Sequence, residues 1–105
     1  LNNVWSAYFR AIAKANQALA LIPLSPADQT TRNRLEAEVR FLRGYFYFNL
    51  VRFFGGVPLI QGVPPVEEIN NTALQTRATR EATYEFIVRD LRFAGNNLLI
   101  KGQTQ

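Results

Sequence analysis

The segment "RFLRGYFYFNLVRFFGGVPLI", Arg40 to Ile60, restricts this chain more than any other. Phe41, Tyr45, Phe46, Tyr47, Phe48, Phe53 and Phe54 fall within fourteen residues, and two glycines and a proline then stop the pattern. So apolar a run fits a membrane span, a stacking platform for a ligand, or a helix buried on several sides. Arg40, Arg43 and Arg52 interrupt it. That leaves no charge-free apolar run of about eighteen residues, as a membrane helix needs. The spacing favours the buried helix. Leu35, Val39, Leu42, Phe46, Leu50 and Phe53 form one helical stripe, and Phe41, Tyr45 and Phe48 a second, with Tyr47 and Phe54 filling much of the remainder. A helix apolar on more than one side is central in its assembly. The expected core is therefore Phe41, Leu42, Phe46, Leu50 and Phe53, and core spacing argues against sugar or base stacking.

The flanking segments supply what this helix packs on. From about 4 to 22, Trp5, Tyr8, Ile12, Ala15, Leu19 and Ile22 step by three and four, and Pro23 ends the pattern. Ser25, Pro26 and Asp28 carry start signals for a second helix over about 28–54. Gly55 suits its exit, and Pro58 prevents resumption. An extended loop over 55–78, rich in proline and polar residues, is longer than an idle connection. Thr79 is a cap for a third helix over about 79–99, in which Tyr84, Ile87, Leu91, Ala94 and Leu98 form a stripe. Gly95 inside that stripe suggests a close helix crossing. The fold class is all-α: three main helices with a long extended loop before the third.

Site chemistry is sparse. The chain has 105 residues and no Cys or His, which excludes thiol nucleophiles, imidazole bases and Cys/His zinc sites. Twelve Lys+Arg against eight Asp+Glu give +4, and the arginines are spread among carboxylates, which suits ion-paired helix faces and not a nucleic-acid surface. The "GGVP" stretch follows a helix and does not open one, so it is no phosphate cradle. No catalytic, metal or cofactor residues are expected, and no ligand-binding residue can be assigned. Arg43, on the flank of the packed stripe, is expected to clamp helices through Glu36, Asp90 or helix-end carbonyls. Asn16 and Asn49, disfavoured in mid-helix, are expected to bond neighbouring loop backbone.

These residues carry a resemblance. "EAEVRFLRGYFYFNLVRFFGGVPL" is similar to the signature of the SusD/RagB family, in which Glu-Ala-x-Phe-Leu-Arg-Ala leads through aromatics to Leu-Val and then Gly-Asp-Val-Pro-Leu. The match runs through Glu38, Arg40, Phe41, Leu42, Arg43, Tyr45, Tyr47, Leu50, Val51, Phe54, Gly55, Val57, Pro58 and Leu59. Trp5, Tyr8, Ile12, Ala15 and Asn16 resemble the family's preceding helix, and Arg77, Thr79, Tyr84, Ile87, Asp90, Leu91 and Ala94 its following one. Gly44 stands where the family usually has Ala, and Gly56 where it usually has Asp.

The resemblance implies a tetratricopeptide-like helix-turn-helix array, part of the N-terminal region of a larger protein. It implies a non-enzymatic, lipid-anchored protein on the cell-surface side of the outer membrane in Bacteroidetes. Such a protein binds a glycan or peptide and caps a TonB-dependent SusC-like transporter, with no cofactor. The start at Leu1 and the tail "LLIKGQTQ" fit an internal piece whose anchor lies outside it. Within the piece a scaffold role is expected for Phe41, Leu42, Arg43, Phe46, Leu50, Phe53, Gly55 and Pro58, with a transporter-facing surface. The competing reading is a cytoplasmic tetratricopeptide-like scaffold that binds peptides.

Overall fold

A computed structural model describes residues 2–60 and 77–98. The described residues are helical apart from the connections, with no strand among them. Helix α1 spans Asn2–Leu21, α2 spans Gln29–Phe54 and α3 spans Arg80–Asn97. The 61–76 part of the expected loop and the end of the third predicted segment lie outside the described residues.

Local chemistry sets the boundaries. Around Pro23 the chain tightens into a single 3-10 turn, Ile22–Leu24, and the Ser25 N–H closes it on the Ile22 carbonyl at 3.0 Å. Asp28, not Ser25, caps α2: its Oδ1 accepts from the Thr31 N–H at 2.8 Å. That backbone donor holds the Asp28 carboxyl below its ordinary range. Ser25 instead turns on itself, its Oγ accepting from the Ala27 N–H at 3.2 Å. At 26 residues, α2 is about 39 Å long. It ends at Gly55, whose φ of 75° is a backbone state only glycine adopts freely. Thr79 caps α3 by accepting from the Ala82 N–H at 3.0 Å.

Both α1 and α3 pack on α2, and α3 makes the larger contact. The core is Ile12, Tyr47, Leu50, Val51, Val57, Phe86 and Ile87. Tyr47 is its hub: Phe9 meets it edge-on at 6.1 Å and Phe86 at 5.1 Å. Trp5 lies edge-on to Phe54 at 5.0 Å, and Tyr8 approaches Phe46 at 6.0 Å.

The expected core of α2 needs correction. Leu50 is fully buried and Phe46 is packed partly buried against the core, but Phe41, Leu42 and Phe53 are 45%, 47% and 62% exposed. The buried face of α2 carries Ala37, Arg43, Gly44, Tyr47, Leu50 and Val51. The reason is steric. On a helix that is apolar nearly all round, hydrophobicity does not choose the face that meets a neighbour; small residues that permit close approach do. A Cβ at Gly44 would lie 3.2 Å from the Asp90 Cβ and 3.3 Å from Leu91 Cδ2. Gly44, not Gly95, therefore marks the close crossing, since nothing lies within 4 Å of a Cβ at Gly95. The α3 face is shifted in the same way: Thr83, Phe86, Ile87, Asp90 and Ala94 are buried, whereas Tyr84 and Leu91 are each 38% exposed.

Candidate functional site

The most elaborate chemistry among the described residues is a buried polar junction where the three helices meet. From α2, the Arg43 guanidinium forks onto the Asp90 carboxylate of α3, Nε to Oδ2 and Nη2 to Oδ1, both at 2.8 Å. Its Nη1 donates to Asn16 Oδ1 of α1 at 2.9 Å. Such a two-pronged, charge-assisted arrangement fixes geometry as well as charge. The fork also stacks over Phe86, 4.9 Å from the ring centre.

Asp90 has a second cation. Arg40 Nε donates to Asp90 Oδ1 at 2.9 Å, while its other nitrogens reach Glu36 Oε2 at 3.4 Å and the Arg89 carbonyl at 3.3 Å. Arg40 covers the Phe93 ring at 4.2 Å. Two guanidiniums thus face two carboxylates, and the cluster balances its charge without outside ions. A buried charge lacking such partners would be costly.

The junction continues into the chain leaving α2. Asn16 Nδ2 donates to the Ile60 carbonyl at 2.8 Å. The Tyr47 hydroxyl accepts from the Ile60 N–H at 2.8 Å and donates to the same residue's carbonyl at 3.4 Å. Burial pushes the Tyr47 phenol up to about 12, against the opposing pull of its bond to Ile60 and of Arg43. A phenol held neutral this way serves as a hydrogen-bonding fixture.

Each expected site residue has a definite place. Arg43 sits at the junction, where its carboxylate partner is Asp90, while Glu36 pairs with Arg40. Gly55 closes α2, donating its N–H to the Val51 carbonyl at 2.9 Å. Pro58 is buried in the exit segment. Phe41, Leu42 and Phe53 stand apart on the outer side of α2, and Phe46 and Leu50 face the core. Asn16 bonds loop backbone at Ile60. Asn49 does not follow the same expectation: its buried Nδ2 has no partner among the described residues. Tyr47 is the fixture that spacing did not single out, because Tyr45, two residues earlier and chemically identical, is 51% exposed.

Among the described residues, no group of His, Cys, Asp and Glu could hold a metal ion, and no helix is long and apolar enough to cross a membrane. The apolar surface lies elsewhere. Phe41, Tyr45 and Phe48 form an exposed stripe on α2. On α3, Tyr84, Val88 and Leu91 are exposed as well, and Leu91 lies against Gly44, between Phe41 and Phe48 in the helical sequence.

Comparison with known proteins gives this arrangement a lineage. The SusD-like family model described as "Starch-binding associating with outer membrane" matches residues 1–101. SusD-like protein P2 of Formosa agariphila is 32% identical over 91 residues, which are 86% of this chain and 17% of that protein. A laminarin-binding SusD-like protein of known structure aligns at TM-score 0.85 and 36% identity, over 93% of this chain and 21% of its own. A SusD-like carbohydrate-binding protein from Bacteroides fragilis aligns at TM-score 0.86 and 28% identity, over 99% of this chain and 20% of its own. The chain thus spans a fifth or so of these relatives' length. The family match over nearly all its residues, and the same helical arrangement in the solved relatives, make this chain a member of the SusD-like family.

Proposed function

We propose that the chain is the helical scaffold of a non-enzymatic, glycan-binding component of an outer-membrane uptake system, working with a TonB-dependent SusC-like transporter. The observation that carries this reading is the family match over residues 1–101, together with alignment on a laminarin-binding relative. The chemistry of the described residues agrees with a scaffold. The buried charges of Arg40, Arg43, Asp90 and Glu36 bond to one another across helices, an arrangement suited to holding shape. On this reading the chain is a piece of a longer, lipid-anchored protein at the cell surface. The exposed aromatics of α2 and α3 then seat further parts of that protein or face the transporter. Ligand contacts come largely from regions outside this piece.

The test uses the longer protein. Native gels cast with laminarin, starch or another soluble glycan retard it if it binds that glycan, and the transporter co-purifies with it from outer membranes. Release of reducing ends from the retained glycan would show catalysis and overturn the non-enzymatic reading. No retardation by any glycan or peptide, with no transporter recovered, would overturn the uptake role.

A further inference from the structure

Two apolar stripes lie side by side on the outer surface of α2 and α3. Along α2, Phe41, Tyr45 and Phe48 step by four and three, share a face, and are 45%, 51% and 37% exposed. Along α3, Tyr84, Val88 and Leu91 step in the same way and are 38%, 45% and 38% exposed. Leu91 joins the stripes, because it lies against Gly44, between Phe41 and Phe48 in the helical sequence. The two helices run antiparallel: Phe86 meets the Tyr47 ring, and Phe93 lies under Arg40. A contiguous apolar surface of this kind marks a place where something docks.

Gly95 says what kind of element docks there. It continues the α3 stripe, four residues beyond Leu91. A glycine inside a helix costs up to ~1 kcal/mol relative to alanine. Among the described residues nothing comes within 4 Å of a Cβ at Gly95, so packing of α1, α2 and α3 gives no reason for it. Gly44 shows what such a position does in this fold: it admits α3 to the surface of α2. On the outer side of α3, Gly95 offers the same close approach to a further helix. The exposed charges beside the stripes, Glu38 and Arg52 on α2 and Glu85 and Arg92 on α3, are of both signs, so the surface draws neither a polyanion nor an anionic membrane. Aromatic and aliphatic side chains with charge at the rim have the character of a core cut in half, which belongs to permanent contacts and not to ones made and broken. That favours the protein's own chain over a separate partner. The length is there to supply it, since this chain covers only 17% to 21% of the relatives it matches.

We infer that the α2–α3 stripes are an internal seam of the longer protein, on which one of its further helices lies and crosses α3 closely at Gly95. The inference rests on the proposed reading of this chain as a piece of such a protein, and adds which surface the remainder covers. A helix laid there encloses more of α2, whose apolar residues run nearly all round and which is central for that reason. The transporter then meets a different face.

The experiment puts a thiol on the seam of the longer protein, as Val88→Cys, and reads by peptide mass how fast a maleimide labels it. Tyr84→Cys is a second position, should the first variant fold poorly. Labelling is expected to be at least about a hundredfold slower in the native protein than in urea. The protection should hold in the monomer, on dilution, and without the transporter. Labelling near the unfolded rate would leave the face open and overturn the inference. Protection confined to a dimer would assign the face to a second copy, and protection that needs the transporter would assign it to that partner; either overturns the seam. Adding Gly95→Leu to Val88→Cys is expected to speed labelling at least about tenfold, and unchanged labelling would overturn the crossing at Gly95. The readout does not depend on glycan. A freely labelled thiol in a protein that glycan gels retard sinks the seam alone, and a shielded thiol in a protein that binds no glycan or peptide and recovers no transporter sinks the uptake role alone.

Discussion

Replacing Arg43 with methionine tests whether the buried junction stabilises the fold or merely decorates it. The variant keeps an unbranched stem of similar length against Phe86. It removes both prongs to Asp90, at 2.8 Å, and the bond to Asn16 at 2.9 Å. Asp90, 1% exposed, stays in place. Breaking a buried ion pair from one side typically costs about 3–5 kcal/mol, because the partner is left without its counter-charge. Here Arg40 still donates to Asp90 Oδ1 at 2.9 Å, which places the expected loss at the low end, about 3 kcal/mol. Against a total stability of about 5–15 kcal/mol for a domain, that is a large fraction but leaves a folded protein to measure.

The assay is urea unfolding followed by helical circular dichroism and by fluorescence of Trp5. This single tryptophan packs 5.0 Å from both Phe9 and Phe54 and so reports docking of α1 on α2. Asp90→Leu and the double variant complete a thermodynamic cycle. Exchanging a whole buried pair for apolar groups is often nearly neutral, so the double variant should be more stable than either single one. Its Arg40 is already 21% exposed and can turn wholly to Glu36 and water. A loss below about 1 kcal/mol for Arg43→Met, or single effects that simply add, would refute the claim that the two groups act as a unit.

Two further perturbations probe other parts of the structure. The Tyr47 phenol is pushed up to about 12 from 10.0, so between those values the unfolded chain ionises while the folded chain does not. Its contribution is whole below about pH 10 and is lost as pH rises toward 12; about 2–3 kcal/mol should vanish from urea midpoints over that window, and Tyr47→Phe should lack this component. The glycines should separate by surroundings: Gly95→Ala, with open space around its Cβ, should raise stability by up to ~1 kcal/mol, whereas Gly44→Leu should lower it by more than ~1 kcal/mol by forcing α3 away. Equal responses of the two, read from thermal midpoints, would contradict the placement of the crossing at Gly44.

Much of the architecture was legible in local signals. Pro23, Gly55 and Thr79 act through rules that involve only a few neighbouring residues, and the helices stop and start within a residue or two of where those rules put them. The α1 stripe was legible as well, because that helix has one apolar side and Trp5, Tyr8, Ile12 and Ala15 occupy it. Partner choice was harder. Glu36 lies one helical turn behind Arg40, and a sequence offers it as readily to Arg43 as Asp90, which is 47 residues away from Arg43. Only the crossing of α2 and α3 decides between them. The same holds for the tyrosines: nothing local distinguishes Tyr47, which reaches Ile60, from Tyr45, which does not.

Phe41, Leu42 and Phe53 are exposed although they are apolar, because hydrophobicity by itself carries no direction. Counting apolar residues measures how much of a helix is compatible with burial. It points to a face only when the other faces are polar, and from Phe41 to Phe54 the polar side chains that interrupt the apolar ones of α2, apart from the tyrosine hydroxyls, are those of Arg43, Asn49 and Arg52. A different pattern did carry the direction. Ala37, Gly44 and Val51 recur every seventh residue and are all buried, and at the middle one, Gly44, Asp90 and Leu91 of α3 lie within 3.4 Å of where a Cβ would stand. Beside these residues Arg43 points into the junction and Tyr47 into the core. A small residue at such a position lets a neighbouring helix come close, because the distance between helix axes depends on the side chains at the contact. The exposed aromatics record something else: apolar surface that α1 and α3 leave uncovered. Approach is thus written in the small residues of α2 and capacity for further packing in its large ones.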